Sequence, residues 1–273
     1  MHSSHVIIIA AVCLLIGGVI GVVSAPEPEI EGSSGMLIQL QSEMTAALTD
    51  LDEKLAIAAY NLGSTGLNNA AARTILLELN EKSPAIIDSV TVNPEGVIVA
   101  AEPRAYHTVE GTDVSEQPSN RYILATKRPV MSGYFQVAEG MDAVLISTPV
   151  FLRKGDSGQP DGQFIGVATI VVMPETLIRE VADAIVLGED YSITVVDTDG
   201  RVLYDTDPDQ IGLTLDDPVY TTYPVLVEFV TRVTKERQGQ GTYIFRDQTK
   251  EAIWTTVSLH GTEWRVAVTR IIR

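Results

Sequence analysis

Three sets of residues in this chain have types and spacings that could do chemistry. Gly155-Asp156-Ser157-Gly158-Gln159-Pro160 holds a serine in a tight polar loop. A nucleophilic serine needs a histidine base and an orienting carboxylate; His107 lies upstream, with Asp113 or Asp142 available as the third member. Asp197, Asp199, Asp205, Asp207 and Asp209 space carboxylates at the alternate positions from which a loop can ligate calcium. Arg121, Tyr122, Met131, Tyr134, Phe135 and Ser147 offer a guanidinium, hydroxyls and apolar surface within one stretch. Those are the ingredients of a pocket for a small carboxylate or another neutral-to-anionic metabolite.

Each set also has a plainer reading. With Asp205 as the first position of a calcium loop, the sixth is Gln210 where glycine is required, and the twelfth is Asp216 rather than Glu. Turn chemistry on a solvated hairpin accounts for these aspartates. The serine segment looks like the GDSGGP of trypsin-like proteases, but only 50 residues separate His107 from Ser157. No double β-barrel fits around that spacing, and Gly, Asp, Ser and Pro are what any exposed loop selects. His107 and His260 have no second ligand at metal spacing, and Cys13 is the only cysteine. The expectation is a protein that is not an enzyme and has neither metal nor cofactor.

Composition narrows the partners. A chain of 273 residues with 45% hydrophobic residues can bury one large core or two small ones. Its formal charge of -17 argues against nucleic acid and anionic lipid headgroups. Val6 to Val23 is an uncharged apolar run of 18 residues, at the lower edge of a membrane span and the upper edge of a signal-peptide core. Residues 1–25 are therefore a cleaved signal peptide or an N-terminal membrane anchor. Either one places the rest outside the cytoplasm.

The elements that must position these residues come next. Residues 26–35, PEPEIEGSSG, have the composition of a linker. From Met36 to Leu62, Leu37, Leu40, Met44, Leu48, Leu51, Leu55, Ala58 and Leu62 recur at helical spacing, which predicts a helix about 40 Å long. A second helix from about Asn68 to Lys82, capped by Asn68 or Asn69, completes a helical spine over 36–82. Then one folding unit is written twice. SVTVNPEGVIVAA and ITVVDTDGRVLYD each join two β-rich runs through a turn containing Gly96 or Gly200. A polar crossover follows each, with Gly111 or Gly212, and two apolar strands close each copy. The units span 83–187 and 188–273, and short helices are expected at Pro174–Ala184 and Val225–Glu236.

This order of elements resembles the extracytoplasmic double Cache sensor domain. The pieces that carry the resemblance are SVTVNPEGVIVA, RPVMSGYF, STPVF with GQFIGVATIVVMPETLI, and ITVVDTDGRVLYDTDPDQIG. It implies an α+β fold: a long N-terminal helix followed by two PAS-like antiparallel-sheet units. It also implies a small-molecule ligand on the concave sheet face of the first, membrane-distal unit. Members that bind amino acids look like they use an Arg-x-Trp-Tyr segment and an Asp near the end of the last strand. Here Tyr122 and Ile123 follow Arg121, and Val171 stands about where that Asp would be. An ammonium without a carboxylate would be costly to desolvate, which disfavours amino acids. Receptors of this kind continue into a second membrane helix and an output module, whereas this sequence ends at Arg273. A membrane-bound signalling partner is therefore expected, and the long helix offers a surface for a homodimer. The alternative is a structural or interaction protein whose sheet faces are packed solid.

Overall fold

The computed structural model describes residues 30–153, 160–185, 188 and 190–272. Helix α1 runs from Ile30 to Thr65, 36 residues and about 54 Å. Leu40, Met44, Leu48, Leu51, Leu55 and Leu62 form its buried stripe, while Ile38, Ile57 and Tyr60 remain exposed. The helix begins six residues before Met36, so residues 30–35, expected as linker, are helical. Gly and Ser are weak helix formers, but packing overrides propensity here. Ser33 is buried and Met36 and Leu37 lie against the core. Helix α2, Ala70–Asn80, starts at Asn69, whose Oδ1 accepts the Ala72 N–H at 2.9 Å.

The first sheet contains β1 (Ile86–Val92), β2 (Ile98–Glu102), β3 (Val130–Met131), β4 (Phe135–Gln136), β5 (Asp142–Arg153) and β6 (Pro160–Val172). Its order is β2-β1-β6-β5-β3, with β4 also on β5. Helix α3, Pro118–Thr126, and a 3-10 turn at Arg104–Val109 cover one face. Helix α4, Pro174–Ala182, leads to the second sheet. That sheet contains β7 (Tyr191–Asp197), β8 (Val202–Asp205), β9 (Gly239–Phe245), β10 (Gln248–Leu259) and β11 (Thr262–Ile272), in the order β8-β7-β11-β10-β9. Helices α5, Pro218–Thr221, and α6, Pro224–Lys235, cover it.

The repetition reaches single hydrogen bonds. Gly111 donates its N–H to the Ile98 carbonyl and Gly212 donates to that of Val202, both at 2.8 Å. Ile98 and Val202 in turn donate to Thr112 and Leu213. Both glycines have positive φ, 88° and 84°, where a side chain would be strained. Pro118 and Pro218 then open the covering helices at matching positions.

One apolar core joins the two units through α1. It runs from Met131, Ile146 and Ile170 of the first sheet to Val257, Trp264 and Val266 of the second. Polar ties reinforce it. Thr262 Oγ1 donates to the Met131 carbonyl at 2.6 Å, Gln41 Nε2 to the Thr256 carbonyl at 2.9 Å, and His260 Nε2 lies 2.7 Å from Asp52 Oδ1.

Candidate ligand-binding site

The face of the first sheet turned away from α1 lies under α3 and the Val137–Met141 segment. Side chains alternate along a strand, so Asp88, Val90 and Val92 of β1 share this face, while Ser89 and Thr91 turn to the helices. Ser89 Oγ bonds the Leu76 carbonyl and Thr91 Oγ1 that of Leu67. Val90, Leu145, Thr169 and Val171, with Gln117, Asn120, Val137 and Glu139 above them, enclose a space of about 20 Å³. Ser147 is fully buried on the same face, 2.9 Å from Thr169 Oγ1.

Asp88 is the anomaly of this face. Its relative exposure is 0%, and neither carboxyl oxygen has a partner at full hydrogen-bond geometry, although the Glu139 carboxyl is close enough to interact with it. Burial, reinforced by the neighbouring Glu139 carboxylate, pushes its pKa up to about 9. The same two groups, after burial, raise the Tyr106 hydroxyl. The β1–β6 register sets Asp88 directly opposite Val171. Beside Val171, where an acidic residue was expected to be missing, the adjacent strand thus carries a carboxyl group. In the sequence Asp88 interrupts the apolar run Ile86-Ile87-Asp88-Ser89-Val90, and that break is its one local signal.

The six residues expected to form the site are not brought together. Arg121 lies on the outer side of α3, its side chain 66% exposed, donating to the Glu116 carbonyl. Tyr122 is also exposed. Met131 turns to the opposite face and is buried in the core against α1. Tyr134 packs on that same core, with Arg201 of the second unit 5.4 Å from its ring. Phe135 packs beside Leu145 and Val171. Only Phe135 and Ser147 adjoin the covered face. Arg121 misses it because the crossover folds as a helix from Pro118, and the helical turn carries its side chain to solvent.

The other chemical motifs resolve differently. Ser157 lies outside the described residues. His107 Nε2 is 3.1 Å from Glu102 Oε1 and shares that carboxylate with Arg73, which also bonds Glu110. This network ties α2 to the 3-10 turn. Asp197 accepts the Asp199 and Arg201 N–H groups, and Asp205 that of Asp207. Asp207 pairs with Arg246 at 2.9 Å. No group of three potential metal ligands occurs among the described residues.

Comparison with known proteins shows what the chain is similar to. Residues 46–174 match the family model of the HK/GC/chemotaxis protein-like sensor domain. The extracellular ligand-binding receptor of Desulfohalobium retbaense is similar at 29% identity and a TM-score of 0.72, over 88% of this chain and 40% of that one. The chain thus spans less than half the length of that receptor. The Pseudomonas aeruginosa amino acid chemoreceptor PctC, solved with GABA, shares the fold at 18% identity and a TM-score of 0.62, over 87% of this chain and 97% of that one. The Pseudomonas fluorescens chemoreceptor CtaA, solved with L-serine, does so at 15% identity and 0.60, over 89% and 95%. No curated protein matches in sequence. The chain has the α+β fold of double Cache architecture, and its residues 46–174 are similar to a sensor-domain family.

Proposed function

We propose that this domain senses a small amine-bearing metabolite, an amino acid or close analogue, outside the cytoplasm, and that the first unit holds it. Asp88 carries the reading. A buried carboxyl is costly to ionise, and an ammonium beside Glu139 and Val171 would favour the Asp88 carboxylate, so that binding at neutral pH releases the Asp88 proton. Gln117 and Asn120 supply amide donors for the ligand's carboxylate. The space of about 20 Å³ accepts an ammonium group but not a whole metabolite, so entry of the ligand moves α3 and the Val137–Met141 segment outward. The solved complexes of PctC and CtaA with GABA and L-serine support this ligand class. The apolar run at Val6 to Val23 supports an extracytoplasmic location, by secretion or anchoring. Exposed Ile38, Ile57 and Tyr60 on α1 support pairing of two copies and contact with a membrane-bound signalling partner.

The test is a thermal-shift screen of the full chain against amino acids, simple amines and carboxylates without nitrogen. A ligand at a hundredfold excess over Kd adds about 2.7 kcal/mol to folding stability. Amino acids should raise the melting temperature in the wild type and fail to do so in Asp88→Asn. A shift that survives Asp88→Asn, or no shift from any amine, would reject this site.

A further inference from the structure

A sizeable, partly enclosed cavity lies in the second unit, not the first. It measures about 340 Å³, within the range of small-ligand pockets. Small side chains create it: Ala252 on β10 and Ala267 on β11 leave the middle of the sheet bare beneath α5 and α6. Leu226, Phe229, Val230 and Val233 of α6 roof one end with apolar surface. Thr194, Asp205, Tyr243, Lys250 and Thr269 gather polar groups at the other.

The charges lining this cavity can be accounted for one by one. Arg246 pairs with Asp207 at 2.9 Å. Arg265 pairs with Glu263 at 2.8 Å and donates to the Glu236 and Thr234 carbonyls. Asp205 accepts Thr194 Oγ1 at 2.6 Å and the Asp207 N–H at 2.8 Å. Asp190 is engaged as well. Lys250 is half-buried and makes no direct ion pair or hydrogen bond to another described residue; the Asp205 and Asp207 carboxylates act on its ammonium from a distance, and the Phe245 ring lies 5.6 Å away. A half-buried ammonium beside an apolar cavity calls for an anion of matching shape.

We propose that the second unit is a separate binding site for a small carboxylic acid with an apolar tail, its carboxylate held by Lys250 and its tail under α6. Each Asp205 oxygen has one accepted hydrogen bond and a lone pair left. It can take a further bond from a hydroxyl or ammonium on the carbon next to the ligand's carboxylate. The ligand that satisfies both groups is a branched 2-hydroxy or 2-amino acid. This site does not depend on the one around Asp88.

The test is calorimetric titration of the full chain with 2-hydroxy-4-methylpentanoate, 4-methylpentanoate, leucine and the neutral 4-methylpentanol. The acids bearing a donor should bind tightest, the plain acid more weakly, and the alcohol not measurably. Lys250→Met should weaken the acids at least tenfold. Ala267→Leu, which fills the floor, should abolish binding in a chain whose circular dichroism is unchanged. Asp88→Asn should leave these affinities intact. Acids that bind Lys250→Met and Ala267→Leu as well as wild type would overturn the proposal. So would acids that bind no folded form, or that lose binding in Asp88→Asn alone.

Discussion

Asp88 faces Val171 across the β1–β6 ladder, and it is fully buried with neither carboxyl oxygen in a hydrogen bond of full geometry. Its pKa near 9, raised by burial and then by Glu139, compares with about 3.9 in an unfolded chain. Between those values the folded protein keeps a proton that the unfolded protein releases. Stability contributed by this proton is complete below about pH 4 and falls as pH rises toward 9. Urea melts at pH 5, 7 and 9 should show wild type losing stability along this series. Asp88→Asn should flatten that loss and be more stable than wild type at pH 8 by ~1–3 kcal/mol. Parallel curves for the two proteins would show that the buried carboxyl is already satisfied.

Arg121 makes the opposite case. Its guanidinium is 66% exposed and lies 3.7 Å from Glu116, itself 93% exposed. A surface pair of this kind contributes ~0–1 kcal/mol. Arg121→Ala should change neither the melting temperature by more than about a degree nor the affinity for any ligand. A tenfold loss of affinity would place a ligand on the outer side of α3.

The spine gives a prediction in packing. Leu55 is 0% exposed in the core shared by both units, and Ile57, two residues on, is 63% exposed. Leu55→Ala removes buried methyls and leaves a cavity, at a cost of ~2–5 kcal/mol. Ile57→Ala should stay within ~0.5 kcal/mol. Both are read by chemical denaturation. If two copies pair through the exposed face, Ile57→Ala should instead shift the oligomeric equilibrium in analytical ultracentrifugation while monomer stability holds.

What could be read beforehand follows from the range of the interactions involved. The leucine stripe of α1, the hairpin glycines Gly96 and Gly200 and the apolar closing strands are local patterns, and they placed the helix and both sheets. The helical start at Ile30 was hidden because glycine and serine there are held by tertiary packing, not propensity. The exposure of Arg121 follows from the helix that starts at Pro118, and no local pattern announces that helix. Asp88 and Lys250 acquire meaning only from their surroundings. Asp88 needs Val171, more than eighty residues away, and Lys250 needs the gap left by Ala252 and Ala267.

Asp205 offers a second titration, in the second unit. Burial pushes its pKa up to about 6, against the pull of the Thr194 hydroxyl, the Asp207 N–H and the Lys250 ammonium. The unfolded value is about 3.9, so the folded chain holds the extra proton between about pH 4 and 6. The stabilising effect is complete below that window and gone above it. Asp205→Asn can keep one carbonyl oxygen for the Asp207 N–H and carries no charge to bury. It should therefore be more stable than wild type at pH 7.5 by ~1–3 kcal/mol, with the difference vanishing near pH 4. Its affinity for 2-hydroxy-4-methylpentanoate should fall, since the amide presents one acceptor where the carboxylate presents two. An Asp205→Asn chain less stable than wild type at every pH would mean that the Thr194 bond outweighs the cost of burying the charge.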